Sequence, residues 1–479
     1  MNSILQATRS GPQTVIHCKG VPTMRRKNSL AFIAAAGTGA ALLSCGAMVL
    51  SDPQPRDPGV RASGGNAGEP LPGLTSAQWA LFTAGKAGFN EEEGVARGLG
   101  PTMNYDSCGG CHAFPAVGGS SPIVNPQVAF ANQGGARNVI PSFITSDGPA
   151  RVARFVRNAD GTPDGGVHAL FTIAGHQDAP GCRLPQPDFA AAQAANNVVF
   201  RIPTPLFGAG LIEQIPDAAI LANLSANGPE KRSLGIFGRP NLVAAGNTVS
   251  GQANRNGNDG TIARFGWKAQ NKSLLLFSGE AYSVEMGISN ELFPTERDET
   301  PGCQFARVPN SVTNIEGSTA VDVLGDMDKF TFYMRLLAPP APSRDLPGGS
   351  ASIERGRGVF AATGCTLCHT PTMQTGNSTV AALRNQPVHL YSDLAVHAMG
   401  RKLADGISQG QAGPTEFRTA PLWGLGGRIF LLHDGRTTDL VSAIREHASP
   451  GSEANAVIKR FESLRGGQQQ DLLNFLRSL

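Results

Sequence analysis

Apolar positions fall into a few helix-like stretches separated by long polar runs. Thr75 or Ser76 can cap a helix that carries Trp79 and Phe82. Ser352 can cap a second, with Ile353, Val359 and Phe360 as its apolar positions. Leu440, Ile444 and His447 recur at i, i+4, i+7, which predicts a helix starting near Thr438. Asp471 to Leu476 repeats that pattern. Leu274-Leu275-Leu276-Phe277 is a short apolar run, read as a strand. Leu337-Ala338-Pro339-Pro340-Ala341-Pro342 reads as a linker. Residues 51–73 are rich in Pro, Gly and Ser, which predicts a flexible linker because little apolar surface is available to offset ordering entropy.

The start of the chain reads as an address. Met24-Arg25-Arg26-Lys27 precedes an uncharged apolar run from Leu30 to Leu50, the arrangement of an export signal, with Met24 as the true start. Three fates of this segment stay open. Leu42-Leu43-Ser44-Cys45 resembles a lipobox, which would place a lipid on Cys45 and tether the protein to a membrane. Ordinary cleavage further on is the second. An uncleaved anchor is the third, since the run is just long enough to span a bilayer. Each puts the bulk of the chain in the periplasm, with a lipid anchor to the outer membrane under the first.

Composition sharpens the class. The 479 residues include 59 Gly and 34 Pro, above the usual combined share of about 12%, so a loop-rich globular protein is expected. The net charge of +3 gives no reason to expect nucleic acid as a partner. Five basic residues and no acidic ones lie in residues 1–45, so a cleaved chain would be slightly acidic.

The chemistry is in the cysteines. Cys108-Gly109-Gly110-Cys111-His112 and Cys365-Thr366-Leu367-Cys368-His369 are two copies of C-x-x-C-H, the attachment motif of c-type haem. The thiols add to the haem vinyl groups, and the adjoining His is held beneath the iron as its ligand. Chance gives roughly 0.0025 occurrences of the motif in a chain of this composition. A zinc site would want further ligands nearby, and a thioredoxin-like pair would want a βαβ context; neither is present. Two covalently bound haems are therefore expected. Cys182 and Cys303 remain, and in an oxidising compartment they are expected to bond. A long closed loop of that kind stabilises by about 3–5 kcal/mol in the chain-entropy view.

Further stretches carry a resemblance. They are Leu99-Gly100-Pro101-Thr102 before the first motif, Phe200 to Gly208, Tyr391-Ser392-Asp393-Leu394, Glu416 to Trp423, and Leu432 to Arg436. Residues 73–479 thereby resemble the bacterial dihaem oxidoreductases, relatives of dihaem cytochrome c peroxidase, of the methylamine-utilisation dihaem enzyme and of the dihaem rubber oxygenase. The resemblance implies two covalent haems, a periplasmic or outer-membrane location and redox chemistry split between the haems. It also allows a calcium ion between the domains. His397-Ala398-Met399-Gly400 departs from the relatives' His-Asp-Met-Gly, which removes a carboxylate.

A six-coordinate haem moves electrons, whereas a five-coordinate one binds peroxide or dioxygen. For the second haem the favoured distal ligand is His447, on an apolar helix face in a region that supplies the ligand in the relatives. Met399 is the alternative, and His397 and His433 are rivals. Arg418 and Arg436 are candidates for propionate pairing. For the first haem, Glu213 in the apolar stretch Gly208 to Glu213 is the candidate acid–base for peroxide, with His168 and His176 as rival ligands. Of the tryptophans Trp79, Trp267 and Trp423, Trp423 is the expected electron relay.

The expectation is a mainly α protein with two cytochrome-c-like haem domains, at 74–338 and 345–479, plus loop-rich insertions and a few short strands. Its expected activity is peroxidase-like: the C-terminal haem takes electrons from a small redox cytochrome, and the N-terminal haem reduces a small-molecule oxidant. A dihaem oxygenase acting on an organic substrate and a non-enzymatic electron-transfer cytochrome are the alternatives.

Overall fold

The computed structural model describes residues 54–479 apart from 63, 102, 134–138, 164–177, 243–247, 250–251, 254–261 and 297–299. Met24, Cys45, His168 and His176 lie outside the described residues. Among the described residues helix outweighs strand, 36% against 10%, a mixed content consistent with a mainly α fold. Asp52–Leu479 forms one unit.

Six helices frame the two haem motifs: α1 (Ser76–Phe89), α2 (Leu274–Met286), α3 (Asp326–Leu336), α4 (Gly349–Thr363), α5 (Leu440–Glu446) and α6 (Gly466–Ser478). Helix α1 starts where its capping residues predict. Thr75 and Gln78 form a reciprocal capping box. Helix α4 starts earlier than expected, after Gly348, so Ser352 is no cap; its hydroxyl turns to Asp471 of α6. Leu274 to Phe277 opens a helix, not a strand. Ser273 caps α2 through the Leu276 amide, and the helix is buried on several sides, which erases the periodicity that would have announced it.

Two helix pairs set the sites. Helix α1 crosses α3 at Gly85, where a Cβ would overlap the Lys329 carbonyl. Helix α4 crosses α6 at Gly356, where a Cβ would overlap the Asp471 carbonyl. Glycine at each crossing lets the backbones touch. Gly364, at φ +99°, then ends α4 and turns the chain into Cys365.

Each pair has its own apolar core. Phe82, Phe89, Leu211, Ile220, Leu274 and Tyr333 build the first. Ile353, Phe360, Leu440, Phe461, Leu472 and Phe475 build the second. Leu383, Leu390, Leu394 and Trp423 follow the second motif in sequence yet pack into the first core. Each such side chain contributes about 1.5–3 kcal/mol by burial, so the halves are welded rather than hinged. Asp405 strengthens the weld by pairing in the interior with both Arg201 and Lys268.

The strands form short antiparallel pairs: β1 (Val152–Phe155) with β2 (Val198–Arg201), and β3 (Val396–Ala398) with β4 (Glu416–Arg418). Trp267 is held beside β4, its carbonyl accepting from the Arg418 amide at 2.9 Å.

The Pro- and Gly-rich stretch before α1 is a strap, which corrects the flexible linker expected there. Asp57 accepts from Arg477 Nε at 2.7 Å and Nη2 at 2.6 Å, and from the Leu440 amide at 2.7 Å. The Arg61 amide donates to Gly426, and the Leu71 amide to Leu336 at the end of α3. Composition reported the lack of regular structure but not these single-residue anchors. Leu337 and Ala338, read as linker, are fully buried against the strap. Cys182 and Cys303 are joined by a disulfide.

Candidate haem sites

Each C-x-x-C-H motif lines a cavity. The first, about 180 Å³, is lined by Cys108, Cys111 and His112 and by α2 residues including Glu280, Tyr282 and Met286. The second, about 230 Å³, is lined by Cys365, Cys368, His369 and residues from β4, α5 and α6. Neither cysteine pair is oxidised to a disulfide. Burial pushes the Cys108 and Cys365 thiols up to about 12.

The histidines are oriented as iron ligands would be. His112 Nδ1 lies 3.0 Å from the Gly119 carbonyl, His369 Nδ1 3.0 Å from Tyr391 O, and His447 Nδ1 2.8 Å from Ala443 O. A carbonyl on Nδ1 fixes the ring and aims Nε2 at a metal. Burial holds His112 and His369 neutral, down to about 4, and lowers His447 too. Only a neutral imidazole can ligate. His447 caps α5 rather than sitting within it, and it lines the second cavity together with His369.

The other second-site candidates separate by their contacts. His397 is bound at both ring nitrogens, to Asp393 at 2.9 Å and Glu453 at 2.8 Å. Burial opposes its protonation, but Asp393 and the Cys368 sulfur outweigh that and hold its pKa well above the ordinary value. An imidazolium clamped by two carboxylates is not a ligand, which removes that rival. The departure at Ala398 is partly met here, because Glu453 also accepts from the Ala398 amide. Met399 lines the cavity from the start of a short helix. His433 stacks on Phe417 at 4.3 Å, is lowered to about 4 by burial and also faces the cavity.

Propionates need cations, and the cavity walls hold them. Arg418 and Arg428 are part-buried; Arg418 Nε donates to Gly266 O, and Arg428 Nη2 to Pro421 O. Burial depresses both to about 10, and proximity to Arg428 depresses Arg418 further. Neither forms a salt bridge among the described residues, so the pair calls for an anionic occupant. Arg151 Nε in the first cavity is likewise buried without a partner. Arg436 is out: it pairs with Asp434 and Glu446 away from both cavities. Arg428 carried no signal in the sequence beyond its charge.

Two expectations for the first site are corrected. Glu213 does not line the cavity. It accepts from Arg335 Nε at 2.6 Å and from the Leu274 amide at 2.7 Å, tying α2 to α3. The carboxylates lining the cavity are Glu280 and Glu285, both on the helix misread as a strand. Glu280 is buried, and Asn271 Nδ2 donates to its Oε2. Trp423 borders neither haem cavity; it packs over Gly208 in the first core. Trp267 borders both, its Nε1 donating to Ile202 O at 2.9 Å. Nothing in the local sequence marked it.

Among the described residues, the one cluster of three side chains with metal-ligand spacing is Cys368, Asp393 and His397, which is no oxygen cage; calcium finds no support. The residues present fit haem.

Comparison with known proteins agrees. Among curated proteins none matches. Among solved structures, a chain of hydrazine synthase from Kuenenia stuttgartiensis is similar at 17% identity and a TM-score of 0.21. The alignment covers 34% of this chain and 56% of that one, less than two thirds of its length. A family model described as "Di-haem oxidoreductase, putative peroxidase" matches residues 167–479, which includes the second motif, His447 and Trp267. With more than half of its length matched, the chain belongs to the di-haem oxidoreductase family.

Proposed function

We propose that the protein is an exported c-type dihaem peroxidase, with two cytochrome-c-like units each holding one covalent haem. The C-terminal haem relays electrons from a small redox cytochrome, and the N-terminal haem reduces peroxide. The observation that carries this reading is an asymmetry of histidines. Among the described residues the first cavity is lined by His112 alone, whereas His369, His433 and His447 all offer neutral rings to the second. Haem supplies an iron that changes valence and, where a coordination position is free, takes peroxide.

The chain's residues divide the remaining work. His112 and His369 would each ligate an iron, and His447 would supply a further ligand at the second site through Nε2. Arg418 and Arg428 take the propionates of the second haem. Trp267 stands between the sites as the inter-haem ring. Glu280, fixed by Asn271, takes a proton from the nearer peroxide oxygen and returns it to the departing one. The basic, apolar start supports export, and Cys45 supports a lipid tether to the outer membrane.

The test is a spectrum of purified ferric holoprotein, followed by peroxide titration with reduced cytochrome c. One high-spin and one low-spin haem, with peroxide consumed, is the expected result. Two low-spin haems and no consumption would overturn the reading in favour of an electron carrier.

A further inference from the structure

A line of aromatic rings runs from His112 to the surface. His112 and Phe89 lie 5.8 Å apart at their centroids, Phe89 and Tyr333 5.2 Å, Tyr333 and Phe82 5.3 Å, and Phe82 and Trp79 5.9 Å. Every gap falls within ordinary aromatic contact. The inner rings are buried, with Tyr333 fully so, while Trp79 is 50% exposed. Electron transfer through protein falls steeply with distance. A long path is passable when oxidisable rings break it into short steps. Tyr and Trp are such rings, and the phenylalanines bridge them.

We infer that this ladder is a second electron entry to the first haem site, with Trp79 as the surface position that oxidises electron-rich phenols from solution. The inference rests on the peroxidase reading. Peroxide takes two electrons and two protons and leaves as two waters. Each electron is replaced singly. The electron reaches the site by way of Tyr333, whose hydroxyl keeps its proton in a 2.8 Å hydrogen bond to the Val117 carbonyl and whose ring is re-reduced by Trp79 in the same step. Trp79 then takes an electron from the donor ring, a phenol, which loses its proton to water. Two donors are oxidised per peroxide.

Three measurements on the holoprotein test this. A peroxide pulse without donor is expected to leave a tryptophan radical signal and added oxygen on the Trp79 peptide. Both should be lost in Tyr333→Phe, which leaves Trp79 equally exposed to dissolved peroxide. Guaiacol oxidation should be lost in Trp79→Phe, while peroxide reduction with cytochrome c is kept. Equal Trp79 oxidation in Tyr333→Phe, or guaiacol oxidation undiminished in Trp79→Phe, overturns the ladder. If cytochrome c supports turnover and guaiacol does not, the ladder falls alone. If the wild type consumes no peroxide with either donor, the peroxidase reading falls and takes the ladder with it.

Discussion

A single hydrogen bond decides what each titratable side chain at these sites can do. His447 and His397 lie in the same cavity wall, yet a carbonyl on Nδ1 leaves the first free to ligate, while two carboxylates lock the second as a cation. His447→Ala is therefore expected to convert the second haem from low to high spin in the ferric spectrum. A spectrum left unchanged by that substitution but altered by His433→Ala would move the ligand to His433. At the first site, Glu280→Gln keeps the shape and removes the proton carrier. Peroxide reduction should fall about 10²–10⁴-fold, measured by stopped flow, with the resting spectrum preserved. The thiols and proximal histidines were legible because the haem motif is local. Glu280 was not, because its place at the cavity wall is set by a helix whose all-round burial hid its period.

The helices explain the misplaced glutamate. Glu213 reads as an isolated acid in an apolar stretch, and its partner, Arg335, comes from the far end of α3. No spacing rule links the two. Their ion pair, with the Leu274 amide, holds the start of α2 in register against α3, and so sets where Glu280 and Tyr282 meet the first cavity. Glu213→Gln should lower stability by about 1–3 kcal/mol, since the half-buried Arg335 loses its counter-charge. Denaturant unfolding measures this, and proton transfer in the refolded enzyme should persist. A large loss of peroxide chemistry at unchanged stability would restore Glu213 as the acid–base. The relay has the same lesson. Trp423 lies in a family-like stretch, but the ring that borders both cavities, as the proposed relay must, is Trp267, whose Nε1 donates to Ile202 O.

Over the whole molecule, the strap joins what the helix pairs build separately. Arg477 is fully buried and finds its charge partner only in Asp57, so Asp57→Asn should cost about 3–5 kcal/mol in urea unfolding. Burial alone would raise the Asp57 carboxyl, but bonds and charge from Arg477 bring it below its ordinary 3.8. A carboxyl lowered by folding stabilises above its unfolded pKa and gives up that contribution as pH falls through the folded value. Acidification below about pH 4 should lower the Tm of the wild type, and Asp57→Asn should flatten that slope. The general plan of two haem motifs, each preceded by a helix, could be read in advance from cysteine spacing and apolar periodicity. The weld between the halves could not, because Trp423, Asp405 and Asp57 each act on partners far along the chain.

The meeting of Asp57 with Arg477 also brings the stretch before α1 beside the last helix. A circularly permuted gene, fusing Leu479 to residue 54 through a short bridge and opening at the exposed loop around Ile315, would preserve every tie of the strap. Deleting residues 54–60 while keeping the natural order would strand a buried guanidinium beneath α6. Connectivity in this protein can thus be rearranged more safely than residues 54–60 can be trimmed.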